Sequence, residues 1–478
     1  MATRSDQLHS HQFALHRVVA AVVLRDPEAP TSPLRRVSAA LFAGVMLAAL
    51  GLAAAGVYGL LRPSSGDAWR DGGSVIIERE TGARFVYRNG LLHPVANYSS
   101  ALLILGTANP PSTTVPRDAL VGVPRGAPLG IPGAPDLLPA PDQLLGDPWT
   151  VCSRAPAGDS GSAESTRVES LLLVGTALDG QETGGGSDDV LAFGARGLLA
   201  RDEMGGLHLL VGGRRHVIRT PNLVLPALTW SPDQAVPVAT AVLNAVPPGG
   251  DLDRIPNERK DEPGPVPGLR VGQVIVVVSS AGEKRFGLVR PEGIADITQV
   301  QADLLIADGA NGLNGGPIEI GQALYASAPR AESLVPTSPS APPATTPELV
   351  RPARRDAVCA VFRDGAATPE LVLATAALPE GGATPAGAAT NEGVTADRVV
   401  VPPGRGVVVT ALPGPDAPGG AVSFVSDLGQ RYPLADPQVM TALGYGEVAP
   451  VRLPAAVVSL LPAGPALDPA AAAAPNEP

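Results

Sequence analysis

The residues here whose types invite chemistry are two cysteines, a few histidines and one Gly-Asp-Ser-Gly turn. Gly158-Asp159-Ser160-Gly161 matches the four residues around a trypsin-like nucleophile. Such a serine needs a histidine base and an orienting carboxylate within hydrogen-bond reach. Beyond residue 36 the histidines are His93, His208 and His216, and only His93 precedes Ser160. None sits in a context resembling that family's histidine motif, so RAPAGDSGSAES reads as a polar turn. His208 and His216 have no third ligand nearby in sequence, and no H-E-x-x-H occurs. Zinc needs three or four converging ligands, so these are expected to be surface or packing histidines, with no metal and no cofactor. The two lysines, Lys260 in NERKDE and Lys284 in AGEKRF, lie in no G-x-x-x-x-G-K-[ST] cradle. No catalytic residue can be assigned.

Composition narrows the classes further. A net charge of −11 argues against a nucleic-acid binder that neutralises phosphates. Two cysteines exclude a multi-cysteine zinc module or a disulfide-dense miniature scaffold. Apolar residues at 45% and charged residues at 17% exclude wholesale disorder.

The apolar residues are not spread evenly. Val37 to Leu61 is 25 residues without a formal charge, bracketed by Arg35, Arg36 and Arg62. A helix of that length covers ~37 Å, enough to cross a ~30 Å hydrocarbon core with tilt. A cleaved signal peptide is the alternative, but its apolar region is shorter and nearer the N-terminus. Residues 1–36 carry five arginines against three carboxylates, a balance of +2; the remainder carries 30 basic and 43 acidic residues, a balance of −13. Arg35-Arg36 beside the membrane predicts an N-terminus inside and a large extracytoplasmic, periplasmic domain. Inside, Leu8, Leu15, Val18, Val19, Val22 and Val23 recur at helical spacing until Pro27 and Pro30. This pattern predicts an amphipathic helix on the inner membrane surface or on a partner.

Both cysteines, Cys152 and Cys359, then fall on the oxidising side. A disulfide between them is the default expectation, with two free thiols or an intermolecular bridge as alternatives. Around them lie short β-branched runs: SLLLVG (170–175), VGQVIVVV (271–278), DAVCAVF (356–362) and VVVPPGRGVVVTAL (399–412). Stretches 179–189, 247–268, 331–352 and the tail after Leu467 read as linkers. One theme recurs at 85–105, 207–230, 285–307 and 423–445: strand, glycine turn, second short strand (LHPV, RHVI, IADI, RYPL), then a helix. Units of about 25 residues cannot fold alone and must pack on one another or on a core. The predicted fold is α+β: a single-pass membrane protein whose outer portion combines a central discontinuous β-domain with about four small α/β repeats. The expected units are 1–36, a cytoplasmic helix; 37–61, the span; 62–112, the first repeat; 113–190, the opening half of the central domain; 191–250, the second repeat; 268–330, the third repeat; 331–352, a linker; 353–414, the closing half of the central domain; and 415–478, the fourth repeat with the tail.

These features together resemble EccB, the bitopic membrane component of actinobacterial type VII secretion systems. Gln12-Phe13 through Arg17, with Arg25-Asp26, resembles its cytoplasmic helix. LHPVANYSSALLILG (92–106) resembles its first-repeat signature, and DPWTVCSR (147–154) the segment with its first cysteine. DLGQRYPL (427–434), LGYG (443–446) and VVSLLPAGPALDP (457–469) resemble its last repeat. The resemblance covers essentially the whole chain. It implies a structural core subunit meeting an EccC-type ATPase, EccD, EccE, other EccB copies, membrane lipid and a mycosin protease, with no nucleic acid. Family members are also described as ATPases, which the missing Walker motif does not support. A membrane-anchored hydrolase and a cell-wall binding module are the alternatives. Mass spectrometry of the unreduced, alkylated protein should find neither cysteine labelled; labelling at both positions would remove the expected bridge.

Overall fold

The protein is described here by a computed structural model covering residues 4–24, 33–61, 68–107, 109–155, 168–178, 190–257, 261–309, 316–353, 355–375, 378–379, 382, 394–414 and 417–475. It opens with two helices, α1 (Arg4–Leu24) and α2 (Pro33–Leu61). Within α2, Ser38–Val57 has a mean hydropathy of 2.2, and among the described residues none of its apolar window is buried. Its 20 residues rise ~30 Å, the depth of a bilayer's hydrocarbon core. Arg35 and Arg36 stand in the first turn of α2, and Arg62 lies outside the described residues.

The next unit sets the pattern for the rest. β1 (Val75–Glu78), β2 (Arg84–Arg88) and β3 (Leu91–Pro94) form an antiparallel meander; α3 (Tyr98–Leu105) follows, and β4 (Ser112–Val115) returns parallel to β1. Local chemistry dictates each step. Asn89 and Gly90 take φ of 52° and 78°, as a two-residue turn between right-twisted strands requires. The Asn97 side chain accepts from the Ser100 amide at 3.0 Å and caps α3. Gly106, in the left-handed region, ends it. After β4 come a one-turn 3-10 helix, Arg117–Leu120, and a strap that runs parallel to β3, bridged at Leu92–Arg125 and Val95–Leu129.

The chain then lays down β5 (Trp149–Arg154), β6 (Glu169–Val174) and β7 (Val190–Ala192) of a different sheet. A second unit follows: β8 (Leu198–Arg201), β9 (Leu207–Val211), β10 (Arg214–Val217), α4 (Pro221–Ala227), β11 (Val236–Pro237) and α5 (Thr240–Ala245). The third is β12 (Val274–Val278), β13 (Lys284–Arg290), β14 (Gly293–Ile297), α6 (Gln299–Ala307), β15 (Ile318–Glu319) and α7 (Gln322–Ser327). Then β16 (Ala357–Phe362), β17 (Glu370–Ala374) and β18 (Arg398–Val400) return to the earlier sheet. The fourth unit is β19 (Val407–Leu412), β20 (Ala421–Val425), β21 (Arg431–Pro433), α8 (Pro437–Ala442), β22 (Val451–Pro454) and α9 (Ala455–Val458), before α10 (Pro469–Ala473). All four unit sheets share one order: third, second, first, fourth strand. The central sheet runs β18-β6-β5-β16-β17-β7, so its neighbours come from distant regions of the chain.

The strand–turn–strand–helix theme is thus the middle of each unit; the structure adds a strand before it and a parallel strand after it. Several expected boundaries move. β4, cut by the 112/113 boundary, pairs with β1, and β7, cut by 190/191, pairs with β17. β19, placed by 353–414 in the central domain, pairs with β20 and β22 of the fourth unit. A short apolar run carries no mark of the sheet it joins; only pairing decides. Residues 331–352 are a strap rather than a free linker. Their hydrogen bonds run from Leu334 N to Asp296 O (2.9 Å), Gly250 N to Ser340 O (2.7 Å) and Val350 N to Gly197 O (2.7 Å), tying the third unit to the second. Leu252, within the expected linker 247–268, is buried on the second unit, and α10 in the expected tail packs on α3 with Ala472 buried. The stretch 179–189 lies outside the described residues.

Each unit is too small to own a full core, and cores are shared. One face of the central sheet (Trp149, Val151, Leu172, Val358) packs with α5 of the second unit and α9 of the fourth. The first and fourth units share a cluster with Leu102, Leu103, Val439 and Leu443, where α3 meets α8. The second and third share Val224, Leu225, Val300 and Leu304, where α4 meets α6. On the other face of the central sheet, Cys152 and Cys359 are bonded, fully buried and directly opposite in register, with Cα atoms 4.1 Å apart. A closed loop of 207 residues restricts the unfolded chain by about 5 kcal/mol in the loop-entropy account. Replacing both cysteines by alanine should lower unfolding free energy by about 2–5 kcal/mol, measured by urea titration of the detergent-solubilised protein.

Candidate functional site

The residues singled out by type fall into separate places. Cys152 and Cys359 sit at the middle of the central sheet, where β5 and β16 pair. Polar contacts around them join the non-local pieces. Ser153, next to Cys152, accepts at Oγ from the Ala239 amide of the second unit at 2.9 Å. The Ser170 amide and hydroxyl donate to Asp397 Oδ2 at 2.8 and 2.6 Å, and the Asp397 amide donates back to Ser170 Oγ at 2.9 Å. This reciprocal clasp holds β18 beside β6 across 227 residues. The Arg452 amide of the fourth unit donates to Asp364 Oδ1 of the β16–β17 turn at 2.7 Å. The arrangement provides attachment, and its chemistry is that of a staple.

His93 and His216 occupy equivalent places on the third strands of the first two units. Each donates through Nδ1–H to a strap carbonyl, Ala127 O at 2.9 Å and Gly250 O at 2.7 Å. Each ring lies over a strap glycine, Gly126 and Gly249, where a β-carbon would collide with the imidazole. In the fourth unit Tyr432 lies over Gly464 in the same way. The strap amide donates to the strand in all three: Gly126 to Leu92 O, Gly249 to Arg215 O and Gly464 to Arg431 O. The third unit uses Ala331 and Ala295 instead, with Ala331 N donating to Ile294 O. Sequence reasoning missed this lock. Its signal was the near-constant distance from ring to glycine downstream of LHPV, RHVI and RYPL. These are packing histidines, and burial holds His216 below the ordinary imidazole value, aided by Arg214 and opposed by the Gly250 carbonyl.

The other candidates stay apart. His208 Nε2–H donates to Asp202 Oδ2 at 3.0 Å, and Asp202 Oδ1 accepts from the Met204 and Gly206 amides. Burial pushes the Asp202 carboxyl up, but His208 and the two amides outweigh it and hold the carboxyl below its usual range. Lys284 is exposed on β13; Lys260 and the Gly158–Gly161 turn lie outside the described residues. Among the described residues no three histidine, cysteine or carboxylate side chains gather as metal ligands. A cleft of about 330 Å³ opens where the second, fourth and central units meet, lined by Arg214, Asn244, Pro247, Ala366, Leu412 and Pro454 among others. α1 exposes apolar side chains around its surface, Leu8, Phe13, Leu15, Val18, Val22 and Val23 among them.

An apolar helix followed by four like units on a cross-linked sheet is the architecture of a membrane-anchored repeat protein. The chain belongs to the family described as type VII secretion system ESX-1, transport TM domain B, whose model matches residues 1–477. It is 32% identical to a Mycobacterium tuberculosis protein named ESX-3 secretion system ATPase EccB3, over 97% of this chain and 87% of that one. It is 28% identical to ESX-1 secretion system ATPase EccB1 of Mycolicibacterium smegmatis, over 98% and 94%. Among solved structures, the EccB3 dimer from the ESX-3 core complex matches 84% of this chain and 99% of that one at 28% identity, with a TM-score of 0.62. A chain of an intact ESX-5 inner membrane complex shares the fold over 100% and 96%, at 24% identity and a TM-score of 0.66. The family and the apolar helix make this a membrane protein.

His216 yields a pH prediction. Its folded value lies below the unfolded one, about 6.5, so the unfolded state takes up protons first as pH falls. The stability that neutral His216 contributes is complete above the unfolded value and lost as pH falls below it. Thermal melts between pH 7.5 and 5 should therefore show a falling midpoint. His216→Phe should flatten that slope, while costing about 1 kcal/mol at neutral pH for the lost hydrogen bond.

Proposed function

We propose that this chain is a structural core subunit of a type VII secretion membrane complex, joining the cytoplasmic side to an oligomerising periplasmic domain. The observation that carries this is the match to the EccB3 dimer of the ESX-3 core complex across 99% of that chain, with the family match over residues 1–477. The surfaces fit the role. α1 offers exposed apolar side chains on a helix joined to α2 by only the residues between Leu24 and Pro33. Its first partner on this reading is an inner subunit of the EccC, EccD or EccE kind; a mycosin protease is the outer one. Arg35 and Arg36 at the start of α2 set the N-terminus inside, and Arg62 marks the other end. The outer domain would then lie where Cys152 and Cys359 can stay oxidised.

The relatives' names include ATPase, and this sequence has no phosphate-cradling G-x-x-x-x-G-K-[ST] loop. A scaffold should give no saturable ATP turnover. Deleting residues 4–24 should strip the inner subunits from the affinity-purified complex. The melting midpoint of the outer domain should stay unchanged, because among the described residues none of its apolar clusters draws on α1. Co-purification of the full complex with the truncated protein would overturn the docking role. ATP hydrolysis that saturates with nucleotide would overturn the purely structural one.

A further inference from the structure

The cleft of about 330 Å³ has three walls, and each comes from a different part of the chain. β10, α5 and the strap of the second unit form one. The ends of β19 and β22 with the first turn of α9, all of the fourth unit, form another. The β16–β17 turn of the central sheet is the third. Junctions between folded units are a preferred place for ligand pockets, and this volume falls in their usual range, roughly 300–1,000 Å³.

The walls are tied to one another, so the cleft is preformed. Gly365 N of the central turn donates to Arg452 O of β22 at 3.0 Å, and the Arg452 amide donates to Asp364 Oδ1 at 2.7 Å. Gly213, in the β9–β10 turn, lies so close to the same central turn that a β-carbon there would stand 2.5 Å from Pro369 O. Arg215 N donates to Pro247 O at 2.9 Å and fixes the strap wall. α5 packs on α9 beneath.

The lining is apolar except for two side chains. Of its fourteen residues, four are proline and five are alanine. The polar side chains are Arg214 and Asn244, and no aspartate or glutamate lines the cleft. The Arg214 guanidinium donates to Pro248 O at 3.3 Å and makes no ion pair among the described residues. The Asn244 amide is exposed and makes no hydrogen bond among them. A guanidinium fork and a carboxamide N–H both suit a carboxylate, which only accepts. The rest of the ligand must then be apolar. A peptide would need partners for each of its own N–H and C=O groups, and the prolines offer no N–H; a hydrocarbon chain needs none. At ~30 Å³ per water-sized atom, the volume suits a carboxylate with a chain of about six to eight carbons.

We propose that this cleft binds a medium-chain aliphatic carboxylate. Its chain lies against the prolines and alanines, and its carboxylate is taken by Arg214 and Asn244. Because the ligand touches the second unit, the fourth unit and the central turn at once, it stabilises their junction. The site stands on the cleft alone and does not depend on the subunit role.

The test is calorimetric titration of the full-length protein in lipid nanodiscs, with empty nanodiscs as the blank and hexanoate as the probe. Hexanoate should bind saturably and raise the melting midpoint. Hexan-1-ol, which lacks the charge, and acetate, which lacks the chain, should each bind at least tenfold more weakly. Arg214→Gln should weaken hexanoate about tenfold, the loss of a charge-assisted contact, and leave hexan-1-ol unchanged. Ala456→Trp, which fills the cleft from an exposed position, should abolish binding of both. Absence of saturable hexanoate binding to a chain that melts cooperatively would overturn the site, as would binding that neither substitution alters. Equal affinity for hexanoate and hexan-1-ol would overturn the anionic class. Tighter binding of the tripeptide acetyl-Ala-Ala-Val would give the cleft to a polypeptide C-terminus and overturn the aliphatic one.

Discussion

The register of β5 against β16 is the constraint on which the outer domain depends. These two strands lie next to each other in the middle of a six-stranded sheet although their cysteines are 207 residues apart. Everything between them, including the second and third units and the strap, is an insertion into one pair of neighbouring strands. Closing that loop is entropically unfavourable, and the covalent bond moves much of the cost into the unfolded state. Once Cys152 faces Cys359, Trp149 must face Phe362 and Val151 must face Ala360, so the apolar face that receives α5 and α9 is set at the same moment. The Ser170–Asp397 clasp repeats this at the sheet edge, again between distant segments.

The repeats need the central sheet as much as it needs them. A unit of three antiparallel strands, one parallel strand and short helices buries only some of its apolar surface. Each therefore shares a cluster with at least one neighbour. Small side chains suit such thin, shared cores, which is consistent with an aromatic content of 3%. One aromatic group sits where the fourth unit meets the strap of the first: Phe424 stacks on Tyr432 and Tyr445 at 6.4 and 5.9 Å, and the Tyr445 hydroxyl donates to Pro139 O at 2.8 Å. The ring-over-glycine lock closes three of the units by the same geometry. Only a glycine lets the strap approach the third strand with a ring between them.

Repetition also bears on how the polar side chains are used. The chemistry-bearing residues fit this picture, since His93 and His216 fasten straps, Asp202 and His208 brace a turn, and the cysteines bind strands. These side chains fasten one segment of the chain to another.

How much of this was legible in the sequence depends on range. The apolar run from Val37 to Leu61 is a local property, because a bilayer acts on consecutive residues, and α2 appears where hydropathy puts it. The turns at Asn89-Gly90 and Gly212-Gly213 and the cap at Asn97 are equally local. So four repeats were visible from their turn-and-helix middles. Their outer strands were not, because Ser112–Val115 and Val407–Leu412 are short apolar runs that could pair with any sheet edge, and only the neighbour that arrives in space chooses. The same holds for 331–352, whose prolines suggest a linker but whose amides and carbonyls find partners on two units at once. The sequence by itself determined the span, the turns and the presence of repeats, all governed by neighbours within a few residues. Tertiary structure alone decided which strands belong together and which histidines lie over which glycines, because those depend on contacts between residues tens to hundreds of positions apart.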